Sequence, residues 1–190
     1  MEEALKDLSE EELMALYQEG NSQAFTELFG RYEGLLYNFF LRRLRDPGLC
    51  EDLYQKAFLN LHKARDRYDP ELKFRPWFFT IAYNLYRDEL KRRSAAMEEL
   101  GEGMESAQAP AEAAPEAEAL GLETSRKVRE AVAALPEVQR EVIELSRFEG
   151  LSYAEIGRIT GRNENAVKQA AHRGILGLRE RLAPLFEERL

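Results

Sequence analysis

Cysteine is almost missing from this chain of 190 residues. The single one, Cys50, excludes an internal disulfide framework and fits a reducing compartment. Beside an apolar helical pattern it reads as a packing residue rather than a redox switch. Histidine is scarce too, with only His62 and His172, so no Cys/His spacing of a metal site exists. No apolar run approaches the length of a membrane span, and the opening Met-Glu-Glu lacks a basic-then-apolar leader. The expectation is a soluble, cytoplasmic protein without membrane insertion. No glycine-rich phosphate loop and no nucleophile–base pair is visible. Asp52, Asp66, Asp69 and Asp88 could in principle serve a metal-dependent nuclease, but caps and surface ion pairs explain them better. No enzyme, no metal and no cofactor is therefore expected. Convincing strand-like alternation is absent throughout, which points to an all-α protein.

Base is also lacking, but locally. Residues 96–122 contain seven Glu and neither Lys nor Arg, no ring and no β-branched side chain. Ala, Glu, Gly and Pro dominate, and such a stretch buries too little to offset its ordering entropy. It reads as a flexible acidic linker between two small helical domains, 1–95 and 123–190. The overall charge of −8 hides a division: residues 1–20 carry −6, 21–95 carry +4, 96–122 carry −7 and 123–190 carry +1. Acidity sits in the tail and the linker, so the global balance does not exclude nucleic acid as a partner.

Within the first domain, Ser9 and Glu12 form a capping box that opens a short helix, which Gly20-Asn21-Ser22 breaks. A longer helix follows, with Phe25, Leu28, Phe29, Tyr32, Leu35, Leu36 and Phe39 at helical spacing, ended by Asp46-Pro47-Gly48. The next runs from about Cys50 to Arg67, with Tyr54, Ala57, Phe58, Leu61 and Ala64 as its inner face. Asp52, Gln55, Leu59 and His62 lie opposite, so Leu59 stands exposed among polar groups. A last helix carries "FRPWFFTIAYNLYRDELKRR", residues 74–93, with Pro76 in its first turn. Trp77, Phe78, Ile81 and Leu85 form a core stripe there. Phe79, Tyr83, Tyr86 and Leu90 form a second stripe that a partner could use. Rings beside Asn84, Arg87, Lys91 and Arg92 suit separated DNA, whose bases stack on aromatic faces while cations track phosphates.

The second domain opens near Glu123, with Val128, Val132 and Leu135 on one face. Pro136 starts a helix in which Val138, Val142 and Leu145 face inward, and Gly150 closes it. Ser152 and Glu155 repeat the capping box, and Gly161 is placed to end that short helix in a left-handed conformation. A final helix runs from about Asn163, with Val167, Ala171, Ile175, Leu178 and Leu182 inward. Ala154, Gly157 and Ala171 are small residues suited to a helix crossing. A capped short helix, a glycine turn and a second helix make a helix-turn-helix. Glu164, Asn165, Lys168, Gln169, His172 and Arg173 then lie outward near the start of the reading helix, where Lys and Arg suit guanine or phosphate and Asn and Gln suit adenine.

Four blocks carry a family resemblance: "GNSQAFTELFGRYEGLLYNFF", "LCEDLYQKAFLNLHKARDRYDP", "FRPWFFTIAYNLYRDELKRR" and "ALPEVQREVIELSRFEGLSYAEIGRITGRNENAVKQAAHRGILGLRERL". In this order they resemble the extracytoplasmic-function (ECF) sigma factors of bacterial RNA polymerase over nearly the whole chain. The resemblance implies a protein that binds core polymerase, at its clamp coiled coil and flap, and directs it to particular promoters. It implies that the first domain melts and reads the minus-ten element, including the melted non-template strand, and that the second reads the duplex minus-thirty-five element. Asp52, Gln55, Phe58 and Leu59 would meet the polymerase. The stretch from Arg67 to Arg75, with Lys73 and Phe74, matches a loop that captures a flipped base, and extrusion of a base needs replacement contacts. Asn84, Arg87, Lys91 and Arg92 would follow the melted strand, and Arg162, Asn165, Lys168, Gln169, His172 and Arg173 the upstream element. An anti-sigma factor is the further partner it implies. Lys56 stands where the family usually has an acid, and Gln169 and Ala170 replace the commoner Ser and Arg. A helix-turn-helix regulator that never touches polymerase is the alternative, and it leaves the Asp52–Leu59 face without a role.

Overall fold

In a computed structural model of the chain, the described residues are 5–100 and 119–187, and they are helical, with no strand among them. They fall into two compact units, Met1–Ala111 and Glu112–Leu190. The centre of the acidic stretch, residues 101–118, lies outside the described residues. At its edges the structure differs from expectation, because helix continues to Leu100 on one side and begins at Ala119 on the other. Ala and Glu are strong helix formers, so a segment without a core still extends the helices that enter it.

The first unit contains α1 (Glu10–Gln18), α2 (Ser22–Leu44), α3 (Pro47–Ala64), a single 3-10 turn (Arg65–Arg67) and α4 (Phe74–Leu100). Its starts are chemically marked. Ser9 and Glu12 make the capping box of α1, Asn21 accepts from the Gln23 and Ala24 amides at α2, and Asp46 accepts from Leu49 N–H at α3, where Pro47 takes the first position. The helices bury Leu13 and Met14, then Leu28, Tyr32, Leu36, Phe39 and Phe40, then Leu53, Ala57 and Leu61, against Phe74, Phe78, Phe79 and Ala82. The ring of Phe78 sits 5.4 Å from Tyr32 and 5.3 Å from Phe58, and Phe79 sits 5.5 Å from Phe39, mostly edge to face.

The stripes of α4 are rotated from their expected phase. Phe79 and Tyr83, assigned to a partner-facing stripe, are buried, whereas Trp77, Ile81 and Leu85 are half-buried. Of the second stripe, Tyr86 is half-buried and Leu90 exposed. Rings and aliphatic side chains nearly surround the N-terminal half of this helix, so periodicity alone leaves the phase open. The rings of α2 settle it.

The second unit contains α5 (Ala119–Ala133), α6 (Glu137–Arg147), α7 (Tyr153–Thr160) and α8 (Glu164–Glu187). Its core holds Val132, Leu135, Val142, Ile143, Leu145, Leu151, Ile156, Ile159, Val167 and Ala171. Val138 and Ile175, expected inward, are exposed, as is Ala154. For Ile175 the reason lies at Gly174. A Cβ there would stand 2.9 Å from Ile143 Cγ1, so the Ile143 side chain of α6 packs directly on the backbone of α8, and the inner stripe runs through Val167, Ala171, Gly174 and Leu178. Ile175 is carried to one side.

Candidate nucleic-acid interface

The helix-turn-helix of the second unit is held by backbone geometry. Ser152 accepts from Glu155 N–H, and the Glu155 carboxylate accepts from Ser152 N–H at 2.7 Å. Gly161 has φ of 72° and ends α7 in the left-handed region, as its sequence position predicts. Arg162 N–H donates to Gly157 O at 2.9 Å, and Asn163 Oδ1 accepts from Ala166 N–H at 2.7 Å, capping α8. Asn165, Lys168, Gln169, His172 and Arg173 are exposed along one side of α8. Asn163, Glu164, Asn165, Ala166 and Gln169 line a shallow depression at its start. Lys168 Nζ lies 2.7 Å from the Glu164 carboxylate. Arg162 is placed differently: half-buried, it donates to Glu141 of α6 at 2.5 Å and so ties the turn to the unit. Ala170 is buried, so the residue at this departure from the family pattern packs inward.

On α4, Asn84, Arg87, Lys91 and Arg92 are all exposed. Lys91 Nζ is 3.8 Å from Asp88, and Arg92 makes a two-pronged pair with Glu89, at 2.8 and 2.7 Å. Glu89 also receives Arg93 Nε at 3.1 Å, and Arg93 reaches the Asp46 carboxylate at 3.3 Å, joining α4 to the start of α3. Glu89 is buried, and the Arg92 guanidinium, with Arg93 behind it, holds its carboxyl below the usual carboxylate range despite the opposing cost of burial. A depressed carboxylate contributes stability above its unfolded value of about 4.3 and loses it as pH falls through the lower folded value. The urea midpoint of the first unit should thus drop between pH 6 and pH 3 by more in the native chain than in Glu89→Gln, whose amide does not titrate. Equal drops would remove Glu89 from the acid sensitivity.

The remaining residues expected at the minus-ten element lie in and beside the loop between the 3-10 turn and α4. Arg67 and Lys73 are exposed, and Arg75 is half-buried, with its guanidinium 3.3 Å from Glu10 and 5.7 Å from the centre of the Tyr32 ring. Phe74 is fully buried, its ring 5.3 Å from Tyr32 and 5.5 Å from Phe78, so it packs beneath the loop instead of presenting a face to a base. Sequence reasoning missed the residues that hold this loop. Glu10, Glu11 and Gln18 all come from α1, and no local signal links positions more than forty residues apart.

On the outer side of α3, Asp52, Gln55 and Lys56 are exposed and Leu59 is 51% exposed. Phe58 faces the other way, its ring 4.6 Å from Phe29, and is buried. Burial also pushes the Cys50 thiol above its ordinary value, which disfavours the reactive thiolate. Among the described residues no group of three or more His, Cys, Asp or Glu side chains is placed to hold a metal, and no helix is long and apolar enough to cross a membrane.

Residues 28–96 match the Sigma-70 region 2 family, and residues 125–176 match Sigma-70, region 4. The RNA polymerase sigma factor CarQ of Myxococcus xanthus is 36% identical over 172 residues, 90% of this chain and 97% of CarQ. The ECF RNA polymerase sigma factor SigW of Bacillus subtilis is 31% identical over 177 residues, 88% of this chain and 94% of SigW. Among solved structures, CnrH in complex with the cytosolic domain of CnrY aligns over 92% of this chain and 97% of that one, with a TM-score of 0.64 and 26% identity. The sigma factor RpoE in complex with the anti-sigma factor NepR from Bartonella quintana shares the fold, with a TM-score of 0.67 and 23% identity over 84% of this chain and 96% of that one. Both sigma regions, in order and on one chain that is collinear with its relatives almost end to end, make this protein a member of the ECF sigma factors of RNA polymerase.

Proposed function

We propose a division of labour for this sigma factor in which residues 1–95 dock on core polymerase and open the minus-ten element while residues 123–190 read the minus-thirty-five element. The observation that carries it is the polarity of three surfaces on the two units. Asp52, Gln55 and Leu59 form an outward face on α3 that includes an exposed apolar side chain, suited to a protein partner such as the clamp coiled coil. Asn84, Arg87, Lys91 and Arg92 put amide and cationic donors along α4 for a melted strand. Asn165, Lys168, Gln169, His172 and Arg173 put donors on the outer side of α8 for base edges and phosphates, with Arg162 bracing the turn beneath them. Two weak DNA contacts on one chain gain avidity without new contacts. The solved relatives were captured with CnrY and NepR, which supports an anti-sigma factor as a partner here as well.

Run-off transcription on pooled genomic promoters, with purified core polymerase and with or without this protein, tests the reading. New transcripts that require both components are expected, and their start sites expose both promoter elements. No new transcripts together with no co-elution with core enzyme would overturn it in favour of a DNA-binding regulator.

A further inference from the structure

The start of α4 lacks a cap of its own. The first amides of a helix have no partner inside it, and a side-chain acceptor usually precedes them. Here the preceding residue is Lys73, which carries donors only. The missing acceptor comes from α1: Glu11 Oε1 accepts from Phe74 N–H at 3.0 Å, across 63 positions of sequence, and lies 3.9 Å from Lys73 Nζ. Beside it, Glu10 holds Arg75. The far end of α1 grips the other side of the loop, because Gln18 Nε2 donates to Arg65 O at 2.7 Å and to Tyr68 O at 2.8 Å. Within the loop, Tyr68 OH donates to Leu72 O, and Leu72 N–H donates to Asp69 O at 3.0 Å. The segment that leads into α1 is fastened to α2, since Arg31 donates to the carbonyls of Lys6 and Leu8 at 2.8 Å.

We infer that α1 is the positioning element of the base-capture loop: Glu11 and Gln18 fix its two ends, at Phe74 and at Arg65–Tyr68, so that residues 69–73 are presented to the melted strand in one conformation. The inference rests on the proposed role of that loop in the minus-ten element. It adds residues before position 28, where the match to the Sigma-70 region 2 family begins. Asp69, Glu71, Leu72 and Lys73 are exposed, so the loop is held by its ends and its carbonyls while its side chains remain available. Prior ordering of a binding loop removes a cost that the ligand would otherwise meet.

The experiment uses holoenzyme assembled from the full chain and core polymerase. Its probes are single-stranded oligonucleotides carrying the non-template minus-ten sequence of a promoter mapped by run-off, with each base replaced in turn. Glu11→Ala removes one charge-assisted hydrogen bond from the loop, so affinity for the native strand should fall about tenfold. The preference for the captured base should flatten, while co-elution with core and binding of the minus-thirty-five duplex stay unchanged. Glu11→Gln should restore the preference, because its amide oxygen still accepts from Phe74 N–H. Gln18→Ala, which frees the opposite end, should flatten it independently and serves if Glu11→Ala does not fold. Undiminished base preference in both alanine variants overturns the inference, as does equal loss in Glu11→Gln and Glu11→Ala. Native holoenzyme without any base preference overturns the minus-ten reading itself, which is a different result from a preference that survives the substitutions.

Discussion

Gly157→Ala will weaken reading of the upstream element beyond its cost in stability. A Cβ built on Gly157 stands 2.7 Å from the carbonyl oxygen of Arg162 and 3.7 Å from the amide nitrogen of Glu164. Both are backbone atoms, so no rotamer change relieves the contact. The turn cannot drift away freely, because Arg162 N–H donates to Gly157 O at 2.9 Å and the Arg162 side chain is tied to Glu141. The methyl group therefore either breaks these ties or pushes the start of α8 outward. Overpacking of this kind costs about 1–3 kcal/mol, and a rigid neighbour places it at the upper end. The displaced residues are the ones that carry Asn165, Lys168 and Gln169, so duplex affinity should fall more than the stability loss alone explains. Urea unfolding followed together with binding of the minus-thirty-five duplex reads both effects. An unchanged midpoint would mean that the turn accommodates the methyl group. Gly161 supplies the contrast: nothing lies within 4 Å of its Cβ position, and its φ of 72° is the only obstacle. Gly161→Asn should cost little, since Asn visits the left-handed region readily.

That pair of glycines also marks what a sequence discloses. The need for glycine at 161 is local: a capped helix of eight residues must stop, and a left-handed residue stops it. The need at 157 is a contact across the turn, of which the sequence shows only that small residues stand at the crossing. Capping boxes at Ser9 and Ser152 were legible for the same local reason, as was the outward set on α8, because Val167 and Ala171 fix that helix's inner side. Glycine hides a contact face as well. Gly174 contributes nothing to an apolar pattern, yet it is buried against the Ile143 side chain of α6, so an apolar periodicity that passes over it places Ile175 inward. On α4 the difficulty was excess of signal. With Phe74, Trp77, Phe78, Phe79, Ile81, Tyr83, Leu85 and Tyr86 in one short run, the pattern favours a core stripe through Trp77, Ile81 and Leu85, and the rings of Tyr32 and Phe39 on α2 turn Phe79 inward instead. The cap that Glu11 gives to α4 has no sequence signature at all beyond an acidic first turn that meets Lys73 and Arg75 in space.

Leu59→Asp separates docking from packing on α3. Leu59 is 51% exposed in the first unit, so its replacement removes little buried surface and should leave stability within about 0.5 kcal/mol. In the complex with core polymerase the same position would lie on the face that also carries Asp52 and Gln55. Burial of a leucine side chain is worth about 1.5–3 kcal/mol, and an unpaired carboxylate in its place adds a desolvation cost. Affinity for core enzyme should therefore fall at least about 100-fold, and run-off transcription should fail at protein concentrations that saturate the native complex. Phe58→Ala, one position away, should behave in the opposite sense. Its ring is buried against Phe29 and Phe78, so its loss costs about 3–5 kcal/mol of folding stability, and any defect in polymerase binding should follow from the unfolded fraction. Unfolding midpoints and co-elution measured on both variants distinguish the two. If Leu59→Asp unfolds normally and still co-elutes with core polymerase, the outer face of α3 is not where the enzyme docks. If it unfolds normally and fails to co-elute, this single exposed leucine is an anchor of the contact, and the polar groups around it set its register.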